Sequence, residues 1–193
     1  MAVTPLDNEA QWIALAANGR DAKAFGVLAK HYQQALRQYC RRLCKNQWAD
    51  ADDLAQDTLI KAFDKLASFR GEGSLQDWLF KIAYFEYLNK LRQQKPLQPF
   101  DEQSVSNTQD SPSSDGGMAG AEATRDLERA MTQLSTEQRA CLTLHFAFGY
   151  SHSEISNQLE MPLGSVKSHI TRAKTRLTEL LQQKVRIAVD SVA

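Results

Sequence analysis

The stretch SHSEISNQLEMPLGSVKSHITRAKTRL, residues 151–177, decides the fold class. Ser151 followed three residues later by Glu154 fits a capping box, which predicts a short helix over 152–159 with Ile155 and Leu159 turned inward. Met161-Pro162-Leu163-Gly164 reads as a tight turn, and Pro162 marks the start of a longer helix over 163–183. On that helix Val166, Ile170, Ala173, Leu177 and Leu180 follow one another at steps of four, three, four and three, forming one apolar stripe. Lys167, Ser168, Thr171, Arg172 and Thr175 point the other way. Such a pair is a helix-turn-helix, and a helix whose outer face mixes base-reading and phosphate-binding side chains suits the major groove of DNA. A solvated amphipathic hairpin shares the periodicity but has no need of the turn, the small residues and the basic stripe together.

Further helices are predicted over 122–133 and 136–148, the latter ended by Gly149, and, in the N-terminal half, over 8–18, 21–45, 49–67 and 74–94. Asn18-Gly19 and Arg70-Gly71-Glu72-Gly73 are the breaks, and Ser74 can cap the last helix. Alternating runs of β-branched residues are absent, so the fold class is all-α. Between the halves, PLQPFDEQSVSNTQDSPSSDGGMAG is rich in Ser, Pro, Gly, Asp and Gln, a composition that buries too little apolar surface to offset the entropy of ordering. The expected organisation is a domain at 1–95, a flexible acidic linker at 96–121, a helix-turn-helix domain at 122–185 and a short tail at 186–193.

The formal net charge is +0, but charge is separated along the chain. Residues 96–121 hold four Asp or Glu and no Lys or Arg. From Lys167 to Arg186 the cations Lys167, Arg172, Lys174, Arg176, Lys184 and Arg186 face Glu179 alone, a stripe of the kind that approaches phosphates. In the predicted third helix Leu54, Ala62, Phe63 and Leu66 are available for burial, while Asp53, Gln56, Asp57, Ile60 and Asp64 form a contrasting face. An isoleucine among exposed carboxylates points to a protein partner, although a solvated acidic face near a helix N-terminus has the same composition. The next segment interleaves Trp78, Phe80, Tyr84, Phe85 and Tyr87 with Arg70, Lys81, Lys90 and Arg92, a mixture on which unpaired bases stack. Trp78 and Phe80 also fit a core at helical spacing.

Three cysteines, Cys40, Cys44 and Cys141, are too few and too odd in number for a disulfide framework. Buried thiols are expected, with a redox pair or a metal site of Cys40, Cys44 and His31 as the alternatives. The N-terminus lacks a basic region followed by an apolar run, and no stretch approaches the length that spans a bilayer, so no membrane insertion and a cytoplasmic location are expected.

Residues 134–177, LSTEQRACLTLHFAFGYSHSEISNQLEMPLGSVKSHITRAKTRL, resemble the promoter-binding domain of extracytoplasmic-function sigma factors of the sigma-70 superfamily. Ser135 stands where that family usually has proline, and Ser156 where it has alanine. This half also resembles the DNA-binding domain of response regulators. Residues 50–83, DADDLAQDTLIKAFDKLASFRGEGSLQDWLFKIA, are similar to the core domain of the same sigma family and have no counterpart in response regulators. The resemblance implies a non-enzymatic promoter-specificity factor without cofactor or metal. Its partners would be core RNA polymerase, through the beta-prime clamp helices and the beta flap, promoter DNA and, in some members, an anti-sigma factor. It implies polymerase binding by Asp53, Gln56, Asp57 and Ile60 and capture of the melted minus-10 element near Arg70, Gly71, Ser74, Lys81, Tyr84 and Phe85. Lys167, Ser168, Thr171 and Arg172 would face the minus-35 major groove. After Lys81-Ile82-Ala83 the family usually places an asparagine two positions on, where this chain has Phe85. Two other readings stand beside it: a non-sigma helix-turn-helix regulator, and an all-α magnesium-dependent pyrophosphohydrolase using Asp52, Asp53, Asp57 and Glu86.

Overall fold

A computed structural model describes residues 4, 6–71, 73–94 and 118–190, which form helices and turns and, among the described residues, no strand. The chain divides into two compact units. The first is built on α1 (Glu9–Gly19), α2 (Ala22–Leu43), α3 (Trp48–Lys65) with a 3-10 turn at Leu66–Ser68, and α4 (Leu75–Gln94). The second is built on α5 (Met118–Thr132), α6 (Thr136–Phe148), α7 (His152–Leu159) and α8 (Leu163–Asp190). The linker expected at 96–121 lies outside the described residues as far as 117, and 118–121 already belong to α5.

In the first unit Asp21 caps α2, its carboxylate accepting from the amides of Lys23 at 2.7 Å and Ala24 at 3.2 Å. Lys45 and Asn46, at φ 53° and 60°, turn the chain from α2 into α3. The core gathers Ala16, Ala24, Leu28, Tyr32, Ala62, Leu66, Leu75 and Leu79, and Tyr39 stacks on Phe80 with centroids 4.6 Å apart. Tyr32 donates to Glu9, tying α1 to α2; burial first, then this hydrogen bond, push its phenol well above the ordinary range. On α3, Leu54, Ala62 and Leu66 are buried. Phe63 is half-buried, with the Phe25 ring 5.1 Å away and the Arg20 guanidinium over its face. Gly71 and Gly73 sit at φ 73° and 93°, a region only glycine enters cheaply. They deliver the chain to Ser74, whose hydroxyl accepts from the Asp77 amide while the Asp77 carboxylate accepts from the Ser74 amide, both at 3.1 Å.

The second unit is held at its helix ends. Ser135 caps α6 by accepting from the Gln138 amide, and Gln138 reaches back to the Ser135 amide at 3.0 Å; a proline there could not donate that amide hydrogen. Arg139 is buried and donates to the Leu134 carbonyl at 2.7 Å, securing the turn between α5 and α6. Gly149, at φ 80°, ends α6. Ser156 donates to the Met161 carbonyl at 2.6 Å across the turn into α8, a bond alanine could not make. Val166, Ile170, Ala173 and Leu177 are buried, and Ala173 and Leu177 pack with Ala130, Met131, Leu134 and Leu142. α8 runs to Asp190, past the expected end at 183 and into the expected tail, of which 191–193 lie outside the described residues. No Gly or Pro follows Gly164 to stop it, and Lys184 pairs with Asp126 of α5.

Ser151 and Glu154 form the capping box of α7: the Ser151 hydroxyl accepts from the Glu154 amide at 3.3 Å, and the Glu154 carboxylate accepts from the Ser151 amide at 2.7 Å. The side-chain and backbone hydrogen bonds with Ser151 hold the Glu154 carboxyl below its ordinary pKa. Ser151→Ala should therefore cost about 1 kcal/mol of stability at neutral pH, read from chemical denaturation. The glutamate's contribution is complete above its unfolded pKa and is lost as the pH falls through the lower folded value. Glu154→Gln, which keeps an acceptor without a charge, should remove that pH dependence.

Candidate nucleic-acid and partner interfaces

Burying one side of α3 leaves Asp53, Gln56 and Ile60 exposed on the other, Ile60 at 62% of its free area. Asp57, on the same face, is half-exposed and bonded to Lys90 of α4 at 2.7 Å. One turn further, Lys61 pairs with Glu86, and Asp64 is held by Arg20 at 3.1 Å. Partial burial opposes the charge on Lys90, but the hydrogen bond to Asp57 and the fields of Asp57 and Asp53 outweigh it and raise the ammonium pKa. Lys90, expected on the aromatic and basic surface, is thus a neighbour of the acidic face. Helical spacing within α4 could not reveal a partner on α3.

The four carboxylates of a hydrolase-like site do not converge. Asp52 faces Arg37 at 3.7 Å, Asp57 faces Lys90 and Glu86 faces Lys61. Among the described residues no group of three His, Cys, Asp or Glu is placed to hold a metal. Cys40, Cys44 and Cys141 are buried, and none of the three is in a disulfide. Burial raises the thiol pKa of Cys40 well above its usual range and that of Cys141 to about 12, so neither supplies a reactive thiolate. His31 bonds through Nε2 to the Thr4 carbonyl at 2.8 Å, which engages that nitrogen.

At the other end of the first unit Arg70, Gly71 and Ser74 are exposed in the glycine turn, and Lys81 and Phe85 are half-exposed on α4. Phe80 and Ala83 are buried, while Trp78 is half-buried against Phe69, with centroids 5.4 Å apart. In the second unit Lys167, Thr171 and Arg172 are exposed and Ser168 is half-exposed, opposite the buried stripe of α8. A feature without a sequence signal lies beside them: Phe146 of α6 is 60% exposed, with the Lys174 ammonium 5.7 Å from its ring centroid.

The family description "Sigma-70 region 2" matches residues 28–96, and "Sigma-70, region 4" matches residues 124–177. The RNA polymerase sigma-H factor of Pseudomonas aeruginosa is 28% identical over 87% of this chain and 91% of its own length. The ECF RNA polymerase sigma-E factor of Escherichia coli K12 is 28% identical over 86% and 91%. Among solved structures, the sigma factor RpoE of Bartonella quintana, determined with the anti-sigma factor NepR, is 31% identical; the match covers 83% of this chain and 98% of that one, with a TM-score of 0.67. CnrH, determined with the cytosolic domain of CnrY, is 25% identical over 89% and 96%, with a TM-score of 0.62. The chain belongs to the extracytoplasmic-function sigma factors of the sigma-70 family. It is an alternative sigma factor that directs transcription initiation, and its family is not an enzyme class.

In this sigma factor one expected DNA-facing residue needs correction. Tyr84 is 1% exposed; it falls four residues after buried Phe80 and so shares its inward face. Phe85, one position on, is rotated outward and meets the Tyr84 ring edge-on at 5.5 Å. The two aromatics should therefore separate in thermal and chemical denaturation. Tyr84→Ala should cost about 3 kcal/mol or more, as truncation of a large core side chain does. Phe85→Ala should cost about 1 kcal/mol or less. Equal losses would place both rings in the core.

Proposed function

We propose that residues 1–95 dock on core polymerase and open the minus-10 element, while residues 122–185 grip the minus-35 element as duplex and meet the beta flap. Asp53, Gln56, Asp57 and Ile60 would bind the beta-prime clamp helices, where an exposed apolar side chain among carboxylates suits a basic partner with an apolar seam. Arg70, Gly71, Ser74, Lys81 and Phe85 would receive the melted minus-10 strand. Phe85 cannot hydrogen-bond a base edge as an asparagine can, but its half-exposed ring can stack on an unpaired base, at about 1 to 3 kcal/mol and with little sequence preference. Minus-10 discrimination on this reading rests more on the glycine turn. The linker's negative charge would keep it off DNA and suit a basic channel of the polymerase. Such work belongs in the cytoplasm, and none of the described helices is long and apolar enough to cross a membrane. The solved relatives bound to an anti-sigma factor or to a cytosolic domain support a protein inhibitor for this chain as well.

The observation that carries the DNA reading is the row Lys167, Thr171 and Arg172, exposed along α8 with its opposite stripe buried. Run-off transcription with sigma-free core polymerase tests the whole proposal. Discrete promoter-dependent transcripts should require this protein and should form on linear templates without an added ATP-driven activator. A protein that binds promoters yet never supports such transcripts would be a regulator and not an initiator.

The two cations of α8 are separable by their effects. If Arg172 contacts a base, Arg172→Ala should cost about 1 to 3 kcal/mol of promoter binding and relax preference at one minus-35 position. If Lys167 contacts a phosphate, Lys167→Ala should weaken all sequences alike and lower the salt dependence of binding by about one ion. Intact binding by both variants would remove α8 from the interface.

A further inference from the structure

Asp57 is assigned to the polymerase surface, yet its carboxylate is already held. Lys90 reaches it from α4 at 2.7 Å, with side-chain exposures of 36% for the lysine and 47% for the aspartate. The next rung, Lys61 with Glu86, has the opposite polarity. One turn forward along α3 corresponds to one turn back along α4, as antiparallel neighbours require. Lys90 also lines a cavity of about 360 Å³ together with Asp50, Asp53, Tyr87 and Leu91. Its ammonium therefore serves the carboxylates of the same face that would receive a partner's cations, and its charge is reinforced there by Asp57 and Asp53.

We propose that Lys90 is an affinity-setting residue for core polymerase: in the free sigma factor it occupies Asp57 as a stand-in for a cationic side chain of the polymerase, which must displace it on binding. This rests on the assignment of the α3 face to polymerase. A half-exposed ion pair is weak, so the competition is one that a partner can win. Its cost appears as reduced affinity, because the partner gains a contact with Asp57 only as the intramolecular one is lost. The released ammonium, on a long flexible stem, can turn back to water or toward Asp53. Lys61 carries the same charge one turn away but is engaged with Glu86, so it neutralises a carboxylate outside the proposed contact set.

Equilibrium binding of the full-length protein to sigma-free core polymerase distinguishes the outcomes, with thermal melting of each variant as a check on folding. Lys90→Gln should tighten binding about two- to fivefold at low salt, the range expected for removal of a surface ion pair. The gain should shrink as salt screens it. Most of it should be lost in an Asp57→Asn background, where the carboxylate that Lys90 is bonded to is gone and only the field of Asp53 remains, and Lys90→Arg should bind like the unaltered protein. Lys61→Gln should give no comparable gain. Unchanged or weaker binding by Lys90→Gln, while Ile60→Asp impairs binding, would overturn the competition and leave the surface assignment standing. An equal gain from Lys61→Gln would overturn it too, since the effect would then be general charge. If Ile60→Asp leaves affinity unaltered, the surface assignment itself fails.

Discussion

The buried stripe of each helix decides which side chains remain for function. On α8, Val166, Ile170, Ala173 and Leu177 must leave water together, and a helix rotated by even one residue would expose part of that stripe at a cost of about 25 cal/mol for each Å². Lys167, Thr171 and Arg172 are exposed because they are what the stripe leaves over. The same holds on α3, where burial of Leu54, Ala55, Thr58 and Ala62 turns Asp53, Gln56 and Ile60 outward. Packing thus aims both surfaces, and a substitution in either stripe would disturb an exposed face it never touches.

Small helical units have little core with which to define the angles between their helices, so the turns carry that burden. In the second unit three serines do this. Ser135 and Ser151 each start a helix through a reciprocal pair of hydrogen bonds, and Ser156 closes the turn between α7 and α8 onto the Met161 carbonyl. Two of these, Ser135 and Ser156, occupy positions where the family usually has proline and alanine. Proline fixes a helix start through its backbone angle, whereas serine does so by accepting an amide hydrogen. The substitution changes the chemistry of the cap and keeps the helix start. The buried Arg139, bonded to the Leu134 carbonyl, braces the preceding turn from inside.

How much could be read from sequence depended on whether a helix has one buried face or a wider one. α8 and α3 have a single stripe, and spacing alone placed Val166, Ile170, Ala173, Leu54, Ala62 and Leu66 inside. α4 buries pairs along its length, Leu75 with Gln76, Leu79 with Phe80 and Ala83 with Tyr84, before Tyr87. On such a helix an aromatic residue is not marked as surface by its neighbours, and the company of Phe85 and Lys81 suggests an outward position for Tyr84 that the packing does not give it. The signal that would have corrected this was present: Phe80 already fitted the core, and Tyr84 lies one turn beyond it. The Asp57 to Lys90 pair had no such signal, because its register is set by how α3 and α4 slide against each other. The long α8 was underestimated for a simpler reason, since a helix without a stop residue continues while its side chains find partners, here Lys184 with Asp126.

A chain with equal numbers of cations and anions has little net attraction for DNA beyond a Debye length of about 8 to 10 Å. Its affinity must come from the few charges that reach phosphates at contact, and non-specific binding grows with the number of such contacts. On α8 Lys167, Arg172, Lys174, Arg176 and Lys184 are exposed, but Arg176 is paired with Glu179 and Lys184 with Asp126, which leaves fewer of them to meet phosphates. An acidic face on α3 favours a basic protein partner over nucleic acid in the same way. The ion pairs between α3 and α4 temper that face further, since each lysine there offsets a carboxylate that would otherwise attract any cation. Charge is thus partly neutralised within each unit, on α3 by lysines of α3 and α4 and on α8 by Glu179 and by Asp126 of α5.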